Sequence, residues 1–176
     1  MSVELHRHVA ALVSDLTAEY GETTLVGKRI ECSTEAYETL RSNFEQFGVV
    51  GGAGIRVRDG EDTLFARYDG ADGWTDPGTS RQPGESYTDC AVRGVRESAG
   101  IEATVDGLAQ IQLLYMSDWT DRPPVVNPYL SFVGSQVDGR TCCGVGVDAL
   151  AWMDEPPERL LYEEIATLPV DERTDR

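Results

Sequence analysis

The chain has 176 residues, enough for one domain with a small addition, and its 40% hydrophobic content excludes a disordered chain. Its 31 acids against 15 Lys and Arg give a formal net charge of −16. That balance argues against a nucleic-acid polymer as partner, because no basic stripe is present to displace counterions.

Lys28 is the only lysine, and the acids are spread along the whole chain instead of forming a tail. A scattered excess of this kind fits a surface adapted to high salt, where screening makes self-repulsion tolerable. No apolar run reaches membrane-spanning length, so no membrane association is expected. Acids interrupt the apolar patch of MSVELHRHVAALVSDL and no small-residue cleavage site follows it, so the expected location is cytoplasmic. Cys32, Cys90, Cys142 and Cys143 form no CxxC pair and no zinc-spaced Cys/His set, and they read as free thiols.

Taken in chain order, Leu5, Val9, Leu12, Val13 and Leu16 recur at helical spacing over residues 3–20. TLVGKRIEC follows as a short strand. A second helix starts after Ser33, with Tyr37, Leu40 and Phe44 on its inner face. FGVVGGAGIRVRDGEDTLFARYDG reads as two strands around the Asp59-Gly60 turn. Strands are expected over 108–116, 128–137 and 146–153, and PPERLLYEEIATL as a closing helix with Pro157 in its first turn. The pattern gives an α+β fold, a mixed β-sheet sandwiched between helices. Residues 1–46 form an N-terminal helical extension packed on a domain spanning 47–176.

PGTSRQPGESYTDCAVRGVRESAGI, residues 77–101, holds the chemistry-bearing pattern. Ser86 is a good N-cap and Asp89 stands at the capping-box position. Gly78 and Gly84 permit close backbone approach in the preceding loop, as in loops that wrap a phosphate or a metal. Projected at about 100° per residue, Ala91, Val92, Val95 and Ala99 form a core face. Tyr87, Cys90, Gly94, Glu97 and Ser98 form an adjoining face toward the loop, with Arg93 at its edge. Glu97 is the single carboxylate on that second face, and Arg96 and Asp89 project away.

This stretch resembles the Nudix box, G-x5-E-x7-R-E-U-x-E-E-x-G-U, where U is a bulky aliphatic residue. Thr79 falls on the second glycine of the usual pair, Glu85 on the first Glu, Arg93 on the Arg and Val95 on the aliphatic. Glu97 falls on the first member of the Glu pair, and Gly100-Ile101 complete the box. Trp74 and Pro77-Gly78 match the lead-in, Trp152 matches a common downstream Trp, and the resemblance covers roughly residues 48–168. The acidic composition resembles that of cytosolic proteins from salt-accumulating extreme halophiles.

The resemblance implies the Nudix fold and cleavage of the diphosphate of a nucleoside diphosphate linked to another moiety, assisted by Mg²⁺ or Mn²⁺. In the family pattern three helix glutamates on one face hold the metal against the diphosphate, where it neutralises charge and activates water. Here the first is Gly94 and the third is Ser98, so these are lost ligand positions and any ion is weakly held. By resemblance Glu97 and Arg93 are the catalytic candidates, and Glu97, Asp148 and Glu85 the metal candidates. The Glu85 carboxylate is expected to pair with Arg93 and orient the loop. Gly94 itself fits either relaxed constraint or a ligand group packed closely against the helix backbone.

Candidate substrate-binding residues are Gly78, Thr79, Arg81, Gly84 and Trp119, with Tyr115, Tyr129 and Arg140 as further candidates to stack on a base or meet a phosphate. The reading adopted is a diphosphate hydrolase with an impaired metal site; the alternatives are an inactive Nudix domain that binds or senses a nucleotide-type small molecule, and a dimerising scaffold. The last follows from the frequent pairing of Nudix domains into homodimers.

Overall fold

In the central strands, alternate residues point to opposite faces of the sheet. Along β2 (Gly52–Asp59), Ala53, Ile55 and Val57 are fully buried in the main core, while Gly52, Gly54 and Arg56 fall on the opposite face. The same division runs through β6 (Gly107–Ser117) and β7 (Val125–Gly139). Ile111, Leu130 and Phe132 enter the core, whereas Gln110, Gln112 and Ser131 are buried polar residues on the other side. One face of the sheet is therefore apolar and the other polar.

The computed structural model describes residues 2–48 and 50–162. Its remaining elements are α1 (Ser2–Tyr20), β1 (Thr24–Glu31), α2 (Thr34–Phe47), β3 (Asp62–Tyr68), β4 (Gly78–Ser80), α3 (Tyr87–Ala99), β5 (Ile101–Ala103) and β8 (Val147–Met153). The strand order is β1-β6-β7-β2-β3-β8, with β4 added on β2 and β5 on β7. β1 joins β6 and β2 joins β7 in parallel, and the remaining pairs are antiparallel, which makes a mixed sheet.

The expected helices and strands over the first 153 residues form, joined by two short strands, β4 and β5, that the sequence does not announce. The N-terminal segment is more than helical, because β1 pairs with β6 from Thr24 to Glu31 and so extends the same sheet. Helix α1 puts Leu16 into the main core, and its Leu5 and Val9 join Tyr37, Val50, Val125 and Val126 in a second apolar cluster. Arg122 ties α2 to the loop before β7 by pairing with both Glu38 and Asp118 and stacking on Tyr37. In the expected closing helix, residues 156–162 form bends and a bridge from Leu160 to Trp74. The rest of that stretch, 163–168, lies outside the described residues.

Candidate functional site

Helix α3 begins at Ser86, whose hydroxyl accepts from the Asp89 backbone N–H at 3.0 Å and donates to the Asp89 carboxylate at 2.7 Å. It ends at Gly100, which adopts the left-handed conformation (φ +71°) that closes helices without a Cβ penalty. Ala91, Val95 and Ala99 are fully buried against the apolar face of the sheet. The adjoining face of α3 meets the backbone of β4, so the loop and the helix form one packed unit.

Arg93 organises that unit. Its guanidinium donates to both oxygens of Glu85 at 2.6 and 3.0 Å, to the Ser80 carbonyl at 2.8 Å and to Glu97 at 2.9 Å. Glu85 also accepts from the Gln82 backbone N–H at 2.9 Å, which closes the turn containing Gly84 (φ +75°). Hydrogen bonding from Arg93 is the largest influence holding the Glu85 carboxyl below its ordinary pKa. The pairing of Glu85 with Arg93 that the resemblance implies is thus present, and it commits both Glu85 oxygens to protein partners.

Gly94 and Ser98 are not gaps. A Cβ at Gly94 would lie 2.9 Å from the Gly78 carbonyl carbon and from the Thr79 nitrogen, so the β4 backbone already occupies that space. At Gly94 the protein's own loop backbone packs against the helix, which is neither the relaxed constraint nor the ligand group expected from the sequence. Ser98 is buried, and its hydroxyl lies 2.9 Å from the hydroxyl of Tyr68, within hydrogen-bond distance. Tyr68 also donates to the Gly78 carbonyl at 2.9 Å and accepts from the Gly78 N–H at 3.0 Å. Both positions are absorbed into the contact between helix and loop.

The remaining metal candidates do not assemble with them. Asp148 pairs with Arg67 at 2.6 Å on the surface, and Arg67 also lies over the Trp74 ring. The Glu97 side chain is 55% exposed and held by Arg93. Among the described residues no group of three or more His, Cys, Asp or Glu is placed to hold a metal ion. A divalent ion of the Mg²⁺ type prefers several carboxylate, phosphate or water oxygens in near-octahedral array. The described residues do not fit one.

A cavity of about 240 Å³ opens beside the loop, between β4 and the polar face of the sheet. Gly78 and Thr79 line it, as do Tyr68, Asp76, Gln112 and Tyr129. Asp76 is buried and backed by Arg56 at 3.1 Å, yet burial outweighs that partner and raises the Asp76 pKa. Burial is likewise the largest influence raising the Tyr129 pKa.

Of the expected substrate-binding residues, Gly78, Thr79 and the further candidate Tyr129 meet this cavity and the others do not. Arg81 stacks on Tyr87, 4.6 Å from the ring centre, and lines a separate groove between α1 and α3. Gly84 is exposed in its turn, Trp119 is 76% exposed in the loop before β7, and Arg140 is exposed after that strand. Tyr115 packs under the N-terminal segment. Tyr68, Gln112 and Asn127 were not legible as site residues. The one signal was Gln110 and Gln112 flanking an apolar Ile111, a polar stripe at strand period.

The NUDIX domain family model matches residues 48–166, well over half of the chain. The fold is similar to that of a NUDIX hydrolase from Nitrosomonas europaea, with TM-score 0.55 and 15% identity over 68% of this chain and 66% of that one. It is also similar to a UDP-X diphosphatase, with TM-score 0.54 and 18% identity over 94% of this chain and 78% of that one. An ADP-ribose pyrophosphatase from Streptococcus suis 89-1591 aligns with TM-score 0.51 and 15% identity over 68% and 87% of the two chains. No curated protein matches the chain. No helix among the described residues is long and apolar enough to cross a membrane. With the box helix, the loop it packs on and a mixed sheet of this order, the chain belongs to the Nudix family.

Proposed function

We propose that this Nudix domain binds a nucleotide-type small molecule without hydrolysing it, its box helix serving as a brace for the cavity wall. The observation that carries this reading is the incorporation of positions 94 and 98 into the helix–loop contact. Position 94 has no room for a side chain, and the hydroxyl at position 98 is engaged by Tyr68. Family members as a rule use divalent metal ions at these positions, and no step through such an ion is derived for this chain. What the residues present do is structural. Arg93 clamps the loop through Glu85 and Ser80, and Tyr68 pins Gly78 from the other side.

One observation favours a second reading, a weak diphosphate hydrolase of a nucleoside diphosphate linked to another moiety. The Glu97 carboxylate remains more than half exposed beside the intact Arg93–Glu85 pair.

The test is incubation in multimolar KCl with Mg²⁺ or Mn²⁺ and a panel of ADP-ribose, NADH, dinucleoside polyphosphates and oxidised nucleoside triphosphates. Binding followed by calorimetry, with no product by chromatography, supports the binding module. Product formation that Glu97→Gln abolishes establishes the hydrolase in its place. Absence of binding and of product across the panel overturns both.

A further inference from the structure

Helices α1 and α3 both cover the apolar face of the sheet, yet α1 rests on β6 and β7 and not on α3. A groove of about 400 Å³ runs between the two helices and shares no lining residue with the cavity beside β4. His8, Leu12, Asp15 and Glu19 recur at three- and four-residue steps, so one stripe of α1 forms one wall.

Arg81 stands on the opposite wall. Its guanidinium lies over the Tyr87 ring, 4.6 Å from the centre. Its Nε is the one buried side-chain polar atom without a hydrogen-bond partner among the described residues. Arg41, Arg56, Arg67, Arg93, Arg96 and Arg122 each pair with a carboxylate. Arg81 pairs with none among the described residues, on a chain with 31 acids and 15 Lys and Arg. Polar groups taken out of water normally find partners, so this cation is the exception to be explained.

Across the groove Asp15 and Glu19 stand exposed at the rim, and neither forms an ion pair among the described residues. The two walls therefore carry opposite charges that do not meet. Ser86 and Thr88 line the groove from the start of α3, whose dipole favours an anion on the Arg81 side.

The floor between these charges is apolar. Leu16 and Phe132 are buried there, and Tyr20 meets Phe132 edge-on with 5.8 Å between ring centres. A simple anion would satisfy Arg81 and meet two acids, and a simple cation would do the reverse. A molecule with both charges and an apolar body satisfies both walls and the floor, and adds no net charge to a chain at −16.

We propose that this groove binds a free amino acid with a large apolar side chain. Its carboxylate meets Arg81, its ammonium faces Asp15 and Glu19, and its side chain covers Tyr20 and Phe132. The volume lies within the roughly 300–1,000 Å³ of small-molecule sites. The site is additional to the nucleotide-binding reading, and neither depends on the other.

The experiment is isothermal titration of the full chain with L-phenylalanine, L-tyrosine and L-leucine. It uses the lowest KCl concentration that keeps the chain folded, because salt screens the exposed rim. The N-acetyl form of each, which lacks the ammonium, and the amide of each, which lacks the carboxylate, are titrated beside them. At least one free amino acid is expected to bind, its amide about tenfold more weakly and its N-acetyl form about threefold more weakly. Arg81→Met, which keeps the stem on Tyr87 and removes the charge, is expected to weaken the free amino acid about tenfold. Asp15→Asn with Glu19→Gln changes only exposed positions and is expected to weaken it about threefold, which keeps the test open if Arg81→Met fails to fold. Binding of none of the three, equal or tighter binding of either blocked form, or unchanged affinity in either folded variant overturns the assignment.

Discussion

The Tyr68 hydroxyl lies 2.9 Å from the Ser98 hydroxyl and also bonds both the N–H and the carbonyl of Gly78. One phenol thus joins β3, the loop at β4 and helix α3. Removing it in Tyr68→Phe leaves the Gly78 N–H and Ser98 without this partner. The expected loss is about 1–3 kcal/mol, the penalty for unsatisfied groups in a poorly hydrated place. Ser98→Ala should cost less, and the double variant less than the sum of the two. A double-mutant cycle by chemical denaturation in KCl checks this, and full additivity would mean the two hydroxyls do not interact.

Gly94 provides a test of sign. In an exposed helix interior, replacing Gly by Ala stabilises by about 0.5–1 kcal/mol. Here the new Cβ would press on the Gly78–Thr79 backbone at 2.9 Å, and overpacking of this kind typically costs about 1–3 kcal/mol. Gly94→Ala is therefore expected to lower the midpoint of unfolding, and Gly94→Glu to lower it further. Restoring the family acids at 94 and 98 should displace the loop before it builds a metal site. A Gly94→Ala variant with a raised Tm would show that the loop is free to move away.

Arg93 and Glu97 should behave differently although they are bonded to each other. Arg93 is largely buried and holds Glu85, Ser80 and Glu97 through a planar fork that lysine cannot reproduce. Arg93→Lys is expected to cost more than about 1 kcal/mol and to expose residues 78–86 to limited proteolysis. The Glu97 side chain is 55% exposed, so Glu97→Gln should shift stability by less than about 0.5 kcal/mol. Thermal melts of the two variants in the same buffer make the comparison. Equal losses would remove Arg93 from its role as organiser of the loop.

These contrasts follow the limits of what the sequence displays. Local patterns sufficed for α1, α2, α3 and the long strands, because helical periodicity, the Ser33 and Ser86 caps and the Asp59-Gly60 turn are written in neighbouring residues. β4 was hidden because PGTSRQPGE has no strand pattern, and its extended conformation is imposed by pairing with Gly52–Gly54. The Glu85–Arg93 pair could be reached through the family resemblance. The cavity could not, since Tyr68, Gln112 and Asn127 come from three different strands and meet only through register. Gly94 shows the same limit. A missing side chain reads as an absence in the sequence, whereas the fold fills the position with another segment's backbone.

Cys90 offers a pH test of the same contact between helix and loop. Its thiol is fully buried, donates to the Thr79 carbonyl at 3.4 Å, and is pushed up to about 11, mainly by burial and next by the nearby Glu85 charge. Unfolded, the thiol titrates near its ordinary 9.0. The folded state thus keeps the proton where the unfolded chain loses it, so stability is unaffected below about pH 9 and falls as pH rises from there toward 11. Cys90→Ala removes this titration, so the wild-type protein should lose stability relative to the variant across that window. At pH 8 a thiol reagent should label exposed Cys142 and Cys143 quickly and spare Cys90 until denaturant is added. Rapid labelling of Cys90 in the native protein would mean that β4 and α3 separate readily, and the brace assigned to that helix would fail with it.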